Sequence, residues 1–290
     1  MQTFLANKKS MFRSNRPVEA EKEMTIMDHL EVLRWHLVRS TVVIVASTIG
    51  MFVFIDWIFD NIVFAPARKE FISYTALCSL GQKLHLGNSL CMPPVDIKLV
   101  GNTISGPFMS AITIAFTCGI ILSFPYLFWE LWKFIKPGLS KKEAKSVTSS
   151  IGWVSLCFFA GAAFGYFLLA PFTFNFLANY NLGSIGAYIY LPTLDDYIGT
   201  LTSIILGCAI GFELPVIVYV LAKIGVVTAS LLKKSRKYAF VVILILAAII
   251  TPSPDWVSQV IVTIPLILLY EISIMLSVKV EKQRAVNDHL

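Results

Sequence analysis

Residues 207–225 read GCAIGFELPVIVYVLAKIG, and Glu213 interrupts a run that is otherwise free of charge from Gly207 to Ala222, two residues before Pro215. The composition around it decides how the run is read. Of 290 residues, 56% are hydrophobic and 14% charged, with a mean hydropathy of +0.72. That leaves too little polar surface for a soluble globule of this size to present to water. The run is therefore part of a membrane span, and the fold class is all-α: a polytopic membrane protein.

Working outward from Glu213, apolar runs mark six candidate spans, at 37–58, 107–134, 149–176, 197–222, 238–251 and 256–278. The net charge of +6 does not indicate nucleic acid, because the basic residues lie between the spans rather than in a patch interleaved with stacking groups. Twenty of the 24 lysines and arginines fall in alternate segments. By the positive-inside rule both termini are expected on the cytoplasmic side, with KPGLSKKEAK (136–145) and KIGVVTASLLKKSRK (223–237). The FLA of residues 4–6 is too short for a signal-peptide core, so the first span doubles as the insertion signal. The chain is expected to hold a flexible cytoplasmic tail (1–24), one membrane domain (25–280) and a C-terminal cytoplasmic tail (281–290).

The fifth run is short. Residues 238–251 would reach about 21 Å at about 1.5 Å per residue, against a hydrocarbon core of about 30 Å. TPSPD (251–255) then turns the chain at once into the sixth run. This predicts a short helical hairpin whose outer end stops inside the membrane and thins it locally. An end misplaced by one turn is the alternative.

Of five cysteines, Cys118, Cys157 and Cys208 fall in spans as small apolar fillers. Cys78 and Cys91 share the first outward connection, where an oxidising space favours a disulfide between them over two free thiols. Catalytic signatures are lacking: no phosphate-binding loop, HExxH, CxxC or GxSxG appears. His29, His36, His85 and His289 show no metal-ligand spacing. Neither enzyme, cofactor nor metal is expected.

What remains is polar chemistry inside spans. Pro215 cannot donate to the carbonyl of Gly211, which predicts a bend in the fourth span. Gly207 and Gly211 form a GxxxG pair suited to close helix packing. At 100° per residue, Thr202 and Asp195 lie within about 20° of the direction of Glu213. An ionised glutamate costs about 2.5–3.5 kcal/mol at a span's centre, so Glu213 should face a partner or a water-filled hollow. A carboxyl simply hydrogen-bonded to a neighbouring helix is the structural alternative. Glu130 and Glu271, nearer the cytoplasmic ends, are expected to snorkel or to pair with nearby lysines.

Four phrases occur in order: HLEVLR (29–34), WELWKFIKPG (129–138) continuing LSKKE to Glu143, GFELP (211–215) and TPSPDWVSQ (251–259). Together they resemble TatC, a family of the Sec-independent, twin-arginine protein translocase, over roughly residues 25–280. The resemblance implies a cupped six-helix fold with short fifth and sixth helices in the cell inner membrane. It also implies recognition of twin-arginine signal peptides on folded proteins, and their export under the proton-motive force. The implied partners are single-span TatA/TatB-type subunits in an oligomeric complex within the lipid bilayer, and no nucleic acid.

By the same resemblance, Glu143 matches the loop carboxylate that reads the twin arginines, with Trp132, Phe134, Pro137 and Leu139 shaping the adjacent surface. Guanidinium and carboxylate suit each other in bidentate geometry, and two arginines favour two acceptors. Without the resemblance, Glu143 would simply balance Lys141, Lys142 and Lys145. Glu213, with Gln259 and Thr251, would meet a partner helix or the inserted signal. One departure stands out: the family's acidic residue directly before Leu-Arg is Val32 here, with Glu31 preceding it and Arg34 retained. Residues 25–36 carry Ile26, Leu30 and Leu33 at helical spacing, which predicts an amphipathic interfacial helix. Asp28, four residues before position 32, shares its face and is the geometric substitute, unless it caps the helix. A proton-coupled secondary transporter using Glu213 or Asp195 is the rival reading, but such folds show internal repeats, and the spans here do not repeat.

Overall fold

The computed structural model describes residues 26–68, 70–83, 85, 99–136, 151–179, 192–251 and 256–288. Among them the secondary structure is helical, apart from one isolated parallel bridge between Val100 and Thr193. Among the described residues five stretches are long and apolar enough to cross a membrane: Glu31–Val53, Gly106–Ile135, Gly152–Asn179, Leu194–Ile224 and Gln259–Gln283.

Helix α1 (Ile26–Val53, 28 residues) runs unbroken from HLEVLR into the first span. The helix expected over residues 25–36 is present from Ile26 and continues without a break into the first span, since no glycine or proline interrupts the chain before Gly50. At about 1.5 Å per residue α1 spans roughly 42 Å, so its first turns project beyond a 30 Å core. Past its end, which we call the far side, come α2 (Ile55–Ile58), a π-helical turn (Phe59–Val63), a 3-10 turn (Ala65–Ala67) and α3 (Ile72–Lys83). Three tyrosines fasten this segment. Tyr197 donates to the Val63 carbonyl at 2.7 Å, Tyr166 to Ile62 at 2.8 Å and Tyr74 to Pro66 at 3.0 Å.

Helix α4 (Gly106–Ile135) returns to the near side and packs along α1. The third crossing joins α5 (Ile151–Phe164), a π-helical turn (Gly165–Leu169) and α6 (Ala170–Asn179). The fourth is α7 (Leu194–Gly211) and α8 (Leu214–Ile224), interrupted at Phe212 and Glu213. Gly225, at φ 86°, closes α8 in the left-handed region that glycine adopts without strain. Helix α9 (Ala229–Lys234) is short. Helix α10 (Arg236–Ile250) has 15 residues, about 22 Å, so the fifth run is short as expected. The sixth is not: α11 (Trp256–Asp288) has 33 residues and takes in most of the segment read as a tail, because KVEKQRAVND holds no glycine or proline to stop it.

Inside a bilayer close fit, rather than expulsion of water, holds helices together. Helix α7 packs against α4, α5 and α10, and small residues set the approach on two sides. Gly161 and Gly165 receive Cys208 and Ile204, while Gly207 and Gly211 receive Ile250 of α10 and Leu266 of α11. The GxxxG reading of Gly207 and Gly211 thus describes real packing. Phe158, Leu169, Ile198, Leu201, Ile204 and Leu266 are nearly or wholly buried.

Candidate functional site

On the near side, α1 and α4 meet through a carboxylate. Glu130 is 1% exposed, and its Oε2 lies 2.5 Å from Nδ1 of His36 on α1. Lys133 donates to its Oε1 at 3.3 Å, and Tyr126 adds a side-chain hydrogen bond. Tyr126, Glu130, Lys133 and Phe134 follow at helical spacing along one side of α4, and Phe134 meets the His36 ring edge-on at 6.3 Å between centroids. Lys133 also lies 3.2 Å above the Trp129 ring. Pairing with a lysine was expected of Glu130; snorkelling was not borne out, because a buried charge needs several partners and these groups supply them. Periodicity along α4 cannot reveal a partner 94 residues away, so the His36 contact was not legible.

Some of the residues expected to bind a signal peptide lie on α1 and in the last turns of α4. Glu31 and Arg34 are exposed on α1, and among the described residues neither has an ion pair, with each other or with another group. Val32 is exposed too. Trp132 is only 2% exposed, so it underlies the near-side surface instead of lining it. Phe134 is half-buried. Asp28 lies in the first turn of α1, but its side chain is outside the described residues, as are Pro137, Leu139 and Glu143.

The second site is the break in the fourth crossing. Helix α7 ends at Gly211, whose carbonyl Pro215 cannot serve, and α8 restarts at Leu214 with Pro215 in its first turn, where a missing N–H costs nothing. Glu213 sits between them at φ −78° and ψ −12°, 8% exposed. Its Oε1 is buried with no hydrogen-bond partner among the described residues, and its carboxyl lies within electrostatic reach of Cys157 on α5.

The polar residues expected to act with Glu213 each have their own surroundings. Thr251 is buried and donates to Ala247 of its own helix at 2.9 Å. Gln259 reaches from α11 to the Leu244 carbonyl on α10 at 3.2 Å. Thr202 has a buried hydroxyl without a hydrogen-bond partner among the described residues, and it lines a hollow beside Cys118 and Tyr166. Among the described residues no hydrogen bond joins Glu213 to these three. Angles at 100° per residue hold only along one continuous helix, and the break at Phe212 resets the rotation. Asp195 accepts from Ser110 at 2.9 Å and ties α7 to α4 on the far side. Glu271 pairs with Arg236 at 2.8 Å. Cys78 is disulfide-bonded, Cys118, Cys157 and Cys208 are free, and Cys91 lies outside the described residues.

Helices of this length and apolarity, gathered around a broken central crossing, make this a multi-pass membrane protein. Residues 28–265 match the family model of the Sec-independent protein translocase protein, TatC. The chain is 38% identical to the TatC of Blattabacterium sp. subsp. Periplaneta americana, over 91% of this chain and 98% of that one. It is 34% identical to that of Carboxydothermus hydrogenoformans over 89% and 94%. Two crystal structures of the twin-arginine translocase receptor TatC superpose on it. One gives a TM-score of 0.65 at 29% identity, over 87% of this chain and 99% of that one, and the other, in DDM, gives 0.69 at 30% over 86% and 99%. The chain belongs to the TatC family and is a translocase component; the solute-transporter reading is not favoured.

Proposed function

We propose that this chain is the signal-peptide receptor of a twin-arginine translocase in the inner membrane, with both termini cytoplasmic. The observation that carries the reading is the His36–Glu130 joint. It holds the end of α4, from which the FIKPGLSKKE segment continues, against the part of α1 that carries Glu31 and Arg34. Glu143 and an exposed Glu31 then offer the two acceptors that consecutive arginines require, with Asp28 as the alternative second acceptor.

Glu213, at a helix break and unpartnered among the described residues, is the group that a polar side chain on a TatA/TatB-type partner helix or on the inserted signal would satisfy. Among the described residues no hydrogen bond ties Glu213 to Thr251, Thr202 or Gln259, so the proposed contact is made through Glu213 itself. On the outward side, Cys91 is the proposed partner of Cys78. In nanodiscs, Glu143→Gln should lose at least tenfold in affinity for a twin-arginine peptide, the loss of one charge-assisted bond worth about 1.5–3 kcal/mol. Glu213→Ala should bind the peptide normally and lose cross-linking to partner subunits. Failure of both variants at the peptide-binding step would overturn this division. Single cysteines at Gly183 and Lys234 should label from outside and only after permeabilisation, respectively; the reverse would overturn the orientation.

A further inference from the structure

On the far side, where the charge-free stretch after Arg39 ends at Asp56 and Asp60, an open cavity of about 620 Å³ lies between the turn after α1 and the third crossing. Its chemistry is mixed. Arg68 and Glu70 both line it, both are exposed, and among the described residues neither is paired with the other or with any other charge. Asn61 gives its amide to the Trp57 carbonyl at 2.9 Å, which leaves its own carbonyl oxygen as an acceptor. The apolar wall is aromatic: Phe71 is buried, stacked on Phe167 at 5.9 Å and edge-on to Tyr166 at 5.5 Å. Phe167 remains 47% exposed.

Adjoining it across the Tyr166–Ile62 hydrogen bond is a second hollow, about 200 Å³, walled almost wholly by apolar side chains such as Val63, Ala162 and Ile205. A cation, an anion, a spare carbonyl and an open aromatic ring therefore meet at the membrane boundary, next to an apolar recess.

We infer that this cavity is a binding site for a zwitterionic phospholipid with a primary ammonium headgroup, taken from the leaflet on the far side. Arg68 takes the phosphate as a charge-assisted donor. Glu70 and Asn61 accept from the ammonium, and the Phe167 ring offers its face to the same cation. The acyl chains follow the apolar wall toward the inner recess. Glu70 sets the class of lipid: an anionic headgroup ending in glycerol carries no ammonium to balance the carboxylate, and a quaternary ammonium has no N–H to donate.

The test is native mass spectrometry of the full-length protein, released from detergent after incubation with an equimolar mixture of phosphatidylethanolamine, phosphatidylglycerol and phosphatidylcholine of matched chains. The parent should retain phosphatidylethanolamine at least threefold over either competitor. Glu70→Lys should invert the preference toward phosphatidylglycerol. Arg68→Gln should lower retention of all three lipids, while Lys83→Gln, which removes a charge outside the cavity, should change nothing. All three positions are exposed, so the variants should keep the parent's melting temperature in lipid-free detergent, which is the check that folding is intact. No preference in the parent, a preference for phosphatidylglycerol, or an unaltered preference in Glu70→Lys would each overturn the assignment. Displacement of the lipid by soluble glycerophosphoethanolamine at equal concentration would show a headgroup site without a lipid, and would overturn it as well.

Discussion

Gly161→Ala should loosen the packing of the third crossing against the fourth. A Cβ on Gly161 would lie 2.6 Å from the Cys208 carbonyl oxygen, 2.8 Å from Cβ of Phe212 and 2.9 Å from Cα of Ala209. Carbon atoms in good contact stand about 3.5–4.0 Å apart, so α5 and α7 must separate by roughly 1 Å. Two of the three obstacles are backbone atoms and cannot rotate away. Overpacking of this kind costs about 1–3 kcal/mol. Replacing a helical glycine by alanine returns about 0.5–1 kcal/mol.

Gly152, on the same helix, meets nothing within 4 Å and supplies the control. Gly152→Ala should keep or slightly raise the melting temperature, and Gly161→Ala should fall below it by several degrees, the two differing by about 1–3 kcal/mol. The assay is thermal unfolding in detergent, followed by a dye that reacts with thiols as they are exposed; the buried Cys208 is the native reporter. Equal melting temperatures for the two variants would refute the packing argument.

Tyr197→Phe should destabilise the protein by about 1–3 kcal/mol in the same assay, since it leaves the Val63 carbonyl without its donor. His36→Ala should speed amide exchange over the first half of α1 by about tenfold or more while residues 42–53 stay protected, because one charge-assisted bond worth about 1.5–3 kcal/mol is lost from the near-side joint. Val32→Glu restores a carboxylate on an exposed position and should tighten twin-arginine peptide binding in nanodiscs by up to roughly 1.5–3 kcal/mol; no gain would remove that position from recognition. Non-reducing peptide mapping should recover Cys78 joined to Cys91, and a Cys78 linked elsewhere would refute the pairing.

Most of the architecture was legible because span length and apolarity depend on local sequence alone. The shortness of α10 and the interruption before Pro215 followed from counting residues and from the missing proline donor. The helix stops at Gly211, the residue whose carbonyl loses its partner. Other features depend on contacts between distant segments. The π-helical turns at Phe59–Val63 and Gly165–Leu169 have no composition of their own. The burial of Glu130 depends on His36, which no period on α4 encodes. The direction worked out for Thr202 and Asp195 relative to Glu213 does not carry over, because the 100° count ran across the break that precedes Pro215. The length of α11 was missed because its last turns are polar, and polarity alone does not stop a helix.

The 15 residues of α10 also constrain how the chain is made. A helix of about 22 Å cannot be held across a core of about 30 Å by its own apolar surface. It therefore has to stay with the insertion machinery until α11 has been synthesised, a delay of a few seconds at about 5–20 residues per second. The Gln259–Leu244 bond then clasps the two arms, and it forms only once residue 259 has emerged. Nascent chains arrested between residues 251 and 259 should remain extractable from the membrane at this hairpin, whereas chains arrested beyond residue 288 should not.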